Sequence, residues 1–152
     1  MNGAIARSAV SRAEIVAEAR RWIGTPYMHQ ASLIHSGCDC LGLVRGVWRQ
    51  VIGPEPETTG GYSPDWSEAH GGERLLEAGQ RHFSCIAGRA WQAGDVLLFR
   101  WRAHLPAKHV GVATSPDSMV HAHEGACVCE VTIGPFWRRR LTAAFMFPGA
   151  VE

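Results

Sequence analysis

Between residues 11 and 23 the apolar positions Ile15, Ala19, Trp22 and Ile23 recur at helical spacing, which predicts a helix with one buried face. Ser11 followed by Glu14 provides a capping box at its start, and Gly24 with Pro26 stops it. Residues 28–37 read as a loop. A second helix is expected from Asp39-Cys40 to about Ile52, with Leu41, Val44, Val47, Trp48 and Val51 as its buried stripe and Gly53-Pro54 as its end. Residues 53–66 carry three prolines and Gly60-Gly61 and predict an irregular loop. A third helix is expected around 67–80, weakened at its start by Gly71-Gly72. Residues 1–10 are expected to be loosely ordered.

From Trp91 the period changes from helical to alternating. Gln92-Ala93-Gly94-Asp95 reads as a turn into a strand over 96–101, followed by strands over 109–114, 119–123, 126–133 and 143–147. Helices first and consecutive strands afterwards predict an α+β fold with an antiparallel sheet of about five strands. The 152 residues fit one domain, 1–152.

Composition narrows the function classes. With 46% hydrophobic and 19% charged residues, the chain has the make-up of an ordinary globular protein. A net charge of +1 offers no nucleic-acid footprint, and the one basic run, Arg138-Arg139-Arg140, reads as a solvated face. No apolar stretch approaches the ~20 residues needed to span a bilayer. The N-terminal residues lack the long apolar core of a secretory signal, so synthesis in the cytoplasm is expected. Five cysteines, an odd number, argue for at least one free thiol rather than a disulfide scaffold.

One of those thiols stands where a nucleophile is useful. A helix N-terminus and a neighbouring imidazolium both lower a cysteine pKa. Cys40 lies at the expected start of the second helix, after Asp39, a favoured N-cap residue, with Gly42 leaving room for a backbone to approach. His109 opens the segment His-Val-Gly-Val. Alternation sends Val110 and Val112 to the core and His109 with Gly111 to the other face, where the ring has space to meet a thiol. A third group normally orients such a base. His121 and His123 share a face of the next strand, so periodicity does not choose between them.

Four features in order, Gly-Thr-Pro-Tyr (24–27), Asp-Cys-Leu-Gly-Leu-Val (39–44), Gly-Asp-Val-Leu-Leu-Phe (94–99) and His-Val-Gly-Val (109–112), resemble the NlpC-type peptidoglycan endopeptidases, which have a papain-like core. Met-Val-His-Ala (119–122) follows, and the twelve-residue step from His109 to His121 (121 − 109) is similar to the family's spacing between its two histidines. The resemblance implies Cys40 as nucleophile, His109 as base and acid, and His121 as the orienting group. It further implies Tyr27 and Asp39 as oxyanion- or substrate-contacting residues, no cofactor, and stem peptides of bacterial peptidoglycan as substrate, cut at a D-glutamyl–diamino acid bond. Leu41 stands where the family more often has Ser, and His29-Gln30-Ala31-Ser32 replaces its usual double glycine. Both variants resemble the branch encoded among the tail genes of phages and gene transfer agents. That branch implies tail proteins as partners and delivery to the periplasm or cell wall by a phage-like particle.

Two other classes compete. Cys38/Cys40 and Cys127/Cys129, with His104, His109, His121 and His123, are zinc-ligand types, although Cys-x-Cys is not the usual knuckle spacing. A catalytically silent tail or assembly module on the same fold is the other. Cys38 is read as packing or as a modulator of Cys40 oxidation, and Cys85 as core. Trp22, Trp48, Trp91 and Trp101 are read as core, and Trp66 as a substrate wall.

Overall fold

The computed structural model describes residues 9–57, 72–86 and 90–152. Trp66, and the 67–71 part of the expected third helix, lie outside them. The first helix, α1 (Arg12–Arg21), starts as the sequence requires: Ser11 Oγ accepts the Glu14 amide at 3.0 Å while Glu14 Oε2 accepts the Ser11 amide at 2.9 Å. It ends through Trp22 into Gly24, whose φ of +92° is costly for residues with a Cβ. Ile15, Ala19 and Trp22 are buried.

Trp22 carries the contact with the next helix, α2 (Cys40–Val51). A Cβ on Gly46 would stand 2.0 Å from the Trp22 ring, so only glycine lets the indole lie against α2. The room at Gly42 is used in the same way, since a Cβ there would meet the Ala31 carbonyl oxygen. It is the chain's own 28–33 loop, rather than a substrate, that fills this space. α3 spans Arg74–His82, overlapping the described part of the expected third helix, and α4 (Pro135–Arg140) was not foreseen.

Ten strands are described: β1 (Val10–Ser11), β2 (Ser32–Leu33), β3 (Gly37–Cys38), β4 (Ser84–Cys85), β5 (Asp95–Phe99), β6 (His109–Ser115), β7 (Ser118–His121), β8 (Cys129–Thr132), β9 (Leu141–Met146) and β10 (Ala150–Val151). The main sheet has six strands, not five, in the order β4-β9-β5-β6-β7-β8, and each neighbouring pair is antiparallel. The short β2 and β3 form a hairpin just ahead of α2. β1 pairs in parallel with β10, so Val10, expected in a loose N-terminus, is 2% exposed.

Register divides the sheet into two faces. Val96 pairs with Val112 and Leu98 with Val110, and these side chains join α1 and α2 in the larger core. Leu97, Phe99, Ala113 and Met119 face the other way and form a second core with Ile133, against which Trp137 of α4 packs. His109 pairs with Phe99, and His121 with Gly111, so both histidines belong to this second face.

Several burial expectations fail: Ile23 is exposed at 41% and Leu41 is only half-buried. Cys85 is exposed on the short edge strand β4, where both residues are open to solvent. Trp22 and Trp48 are core, but Trp91 and Trp101 are only half-buried.

Candidate active site

α2 is held at its start by Asp39, which is 3% exposed. Its Oδ1 accepts the Gly42 amide at 2.7 Å, the N-cap bond, and its Oδ2 accepts the Gln30 amide at 2.8 Å. The carboxylate expected to contact substrate is thus turned onto the backbone, where it ties the 28–33 loop to the helix. Cys40 is the first residue of α2 and keeps some accessible surface.

The thiol lies against the strand that carries His109. Sγ reaches the Lys108 carbonyl oxygen at 3.7 Å, and the Val110 amide acts to lower the thiol pKa. Cys40 therefore meets the backbone on either side of His109. Among the described residues it makes no hydrogen bond to the His109 ring. The two histidines do meet: His109 Nε2 and His121 Nδ1 are 2.8 Å apart. Both rings are buried, at 4% and 3% exposure.

His123 stands apart from this pair. β7 ends at His121, so alternation no longer governs position 123, and His123 is exposed with Nδ1 3.2 Å from the Glu124 carbonyl oxygen. Its ring still edges His109, with centroids 5.9 Å apart.

Burial and the helix start act on the thiol in opposite directions. Burial pushes the Cys40 thiol up to about 12, and the Asp39 carboxylate adds to this. The amides at the start of α2 and of Val110 pull the other way and are outweighed. Burial also drives His109 well below its ordinary value, with His121 and His123 opposing a further positive charge. Burial thus favours the uncharged form of both the thiol and the imidazole. Tyr27 is pushed up to about 12 by burial, then by the negative charges Cys40 and Asp39 would carry, so its hydroxyl remains a donor at neutral pH.

Buried neutral histidines make stability depend on pH. His121 is lowered to about 4 by burial and by His123. A depressed histidine favours the fold fully above its unfolded pKa of about 6.5 and loses that contribution as pH falls towards the folded value. Between about pH 7 and 4.5 the loss from His121 is about 2 kcal/mol, and His109 adds to it in the same direction. Glu55, Glu57 and Glu130, held below their usual value by arginines, begin to weaken only at lower pH. Urea midpoints across this window should fall in the parent and fall less in His121→Gln. Equal falls would remove His121 as the source.

Several residues around the site escaped the sequence reading. Trp137 stacks on His109, with centroids 5.4 Å apart and planes 24° apart, and stands edge-on to His121 at 5.2 Å. Trp101 leans over His109 at 5.3 Å, and Phe99 lies 6.1 Å from the same ring. Alternation from Phe99 could have placed Trp101 near His109. Nothing in the sequence places Trp137 there. Of the remaining cysteines, Cys38 is fully buried in the larger core, its thiol pushed up to about 12 by burial, which gives it a packing role. Cys127 is exposed and Cys129 half-buried. Among the described residues no three His, Cys, Asp or Glu side chains gather into a set able to hold a metal. No described helix is long and apolar enough to cross a membrane. A separate cavity of about 380 Å³ lies between α2, α3 and the sheet, walled by Leu41, Trp48, Leu75, Phe83 and Val110, and none of the Cys40, His109 or His121 side chains lines it.

Comparison with known proteins gives the same arrangement a family. The chain is similar to the NlpC/p60 domain of the peptidoglycan hydrolase SagA, with a TM-score of 0.63 and 27% identity over 90% of this chain and 98% of that one. An NlpC/P60 family protein from Bacillus cereus ATCC 10987 shares the fold, with a TM-score of 0.65 at 16% identity over 90% of this chain and 40% of that one. In sequence, the chain is 26% identical over 137 residues to the gamma-DL-glutamyl hydrolase of Bacillus subtilis (strain 168), covering 88% of this chain and only 29% of that relative. The NlpC/P60 family model matches residues 24–146, a stretch that begins at the turn before Tyr27 and closes on β9. With the thiol, both histidines and the strands that carry them inside that match, the chain belongs to the NlpC/P60 family.

Proposed function

We propose that this domain is a cysteine peptidase that hydrolyses amide bonds in the stem peptides of bacterial peptidoglycan, at the bond between D-glutamate and a diamino acid. The observation that carries the reading is the placement of Cys40 at the start of α2, against the backbone flanking His109, whose Nε2 lies 2.8 Å from His121 Nδ1. The substrate class rests on similarity to a peptidoglycan hydrolase and to a gamma-DL-glutamyl hydrolase.

In this reading His121 occupies Nε2 of His109 and leaves Nδ1 to serve the thiol. A turn about the Cα–Cβ bond of Cys40 releases Sγ from the Lys108 carbonyl towards the imidazole. As Sγ attacks the amide carbonyl carbon, its proton passes to His109, and the carbonyl oxygen becomes an oxyanion received by the Cys40 amide and the Tyr27 hydroxyl. His109 then gives the proton to the leaving amine, the C–N bond breaks, and a thioester remains. Water, losing a proton to His109, attacks the thioester. The acid leaves, and the proton returns to Cys40. Asp39 acts as a positioning residue, because its two amide bonds fix where Cys40 begins.

Delivery by a phage-like tail is part of the proposal, supported by Leu41 and the 29–32 segment, which resemble the tail-associated branch. Digestion of purified peptidoglycan, with released muropeptides identified by mass spectrometry, should yield new D-glutamyl ends. The chain should also co-purify with tail-bearing particles. No fragments from folded protein across pH and reducing conditions would favour the silent binding module, and absence from particles would remove the delivery claim alone.

A further inference from the structure

Nothing in the peptidase reading requires an indole behind the two histidines, yet Trp137 touches both. It arrives on α4, which is pinned at several points. Arg138 Nε donates to the Ile133 carbonyl at 2.9 Å, its Nη2 bonds Asp117 at 2.9 Å, and its guanidinium lies 5.1 Å over the Trp91 ring. Arg140 donates to the Phe136 carbonyl at 2.9 Å and covers the Phe136 ring at 3.7 Å. Of the three arginines that read as a solvated face, Arg138 therefore fastens the helix that presents Trp137 to its surroundings, and Arg140 braces it from within. Trp101 closes the group, 5.9 Å from Trp137 and 5.3 Å from His109.

We propose that Trp137 is a positioning residue for the peptidase reaction: stacked on His109 and edge-on to His121, it holds the two imidazoles in one mutual orientation and offers an aromatic face to the cation that forms on proton transfer. The inference rests on the peptidase reading. A half-turn of either imidazole about its Cβ–Cγ bond puts a ring carbon where each nitrogen stood and breaks the Nε2–Nδ1 contact, and a flat indole against both rings resists that turn. The same π-face attracts imidazolium at the moment the thiol gives up its proton. A saturated side chain of equal bulk would not.

Among the described residues, few groups face His109. β7 and the residue two beyond it bring His121 and His123, and α2 brings Cys40 to the neighbouring backbone. Lys108 is its neighbour in the chain. β5 and the residues after it bring Phe99 and Trp101, and α4 brings Trp137 without a charge, because Arg138 and Arg140 turn to Asp117 and Phe136. Trp137 is thus also cover that keeps water from the histidines, in line with their depressed titration.

The test pairs Trp137→Ala with Trp137→Phe, reading histidine ring titrations by NMR and peptidoglycan digestion against pH. In Trp137→Ala water replaces the indole, and solvation of an imidazolium outweighs one cation–π contact. The His109 and His121 midpoints should therefore move up towards 6.5, and the acid limb of kcat/KM should move with them. kcat should fall about tenfold with little change in KM, and Trp137→Phe should recover most of it. Unmoved midpoints in a cooperatively folded Trp137→Ala, or a loss confined to KM, overturn the proposal. Should that variant fail to fold, Trp137→Leu keeps a cover without an aromatic face, and an unchanged kcat there overturns it equally. A parent protein without peptidase activity defeats the peptidase reading, whereas unmoved midpoints beside an active parent defeat this inference alone.

Discussion

Cys40→Ala is expected to fold like the parent and to release no stem-peptide fragments, with turnover reduced by a factor on the order of 10⁶. The fold should survive because the cap of α2 belongs to Asp39, and among the described hydrogen bonds the thiol contributes one long contact to the Lys108 carbonyl. Alanine also suits the first turn of a helix. The loss should be near-complete because the proposed chemistry forms and breaks a bond to Sγ, for which alanine has no substitute. Muropeptide analysis beside a thermal melt separates the two effects. Fragments released at the parent's rate by a variant with an unchanged melt would remove Cys40 from the mechanism.

His109→Ala should come next in size, lowering kcat by roughly 10²–10⁴-fold, the usual worth of a positioned general base and acid. His121→Ala should cost less, about tenfold to a hundredfold, since a partner of this kind fixes ring and tautomer without carrying the proton itself. The ordering follows from the single contact between His109 Nε2 and His121 Nδ1 at 2.8 Å, which makes His121 act through His109. Steady-state kinetics on a soluble stem-peptide substrate would measure both. Equal losses, or the reverse order, would exchange or dissolve the two roles.

Much of this site could be read from the chain because it sits at element boundaries marked by strong local chemistry. Ser11 with Glu14, and Asp39 ahead of Cys40, are caps whose bonds form within a few residues, so the starts of α1 and α2 needed no tertiary information. The valine alternation at 110 and 112 gave the face of β6 correctly. The choice between His121 and His123 lay beyond periodicity, because it depended on where β7 stops. The six-residue α4 is too short to show a period, and the two-residue β1 and β10 exist only through each other, so neither was legible. The balance of effects on the Cys40 thiol is not legible in the chain for a different reason. A helix start argues for a lower thiol pKa, but the opposing cost of burial is set by everything packed around it, which no local pattern records.

The parallel pairing of β1 with β10 also bears on how the domain would answer to force. Val10 stands beside Ala150 and Ser11 beside Val151, with the Val10 amide bonded to the Gly149 carbonyl at 3.0 Å. Any polypeptide joined at both ends would enter and leave at one edge. A pull between those ends draws two parallel strands in opposite directions and loads their ladder in shear. That small clamp takes the tension before it reaches α1 or β9, so Cys40, His109 and His121 lie off the line of pull until the clamp gives way.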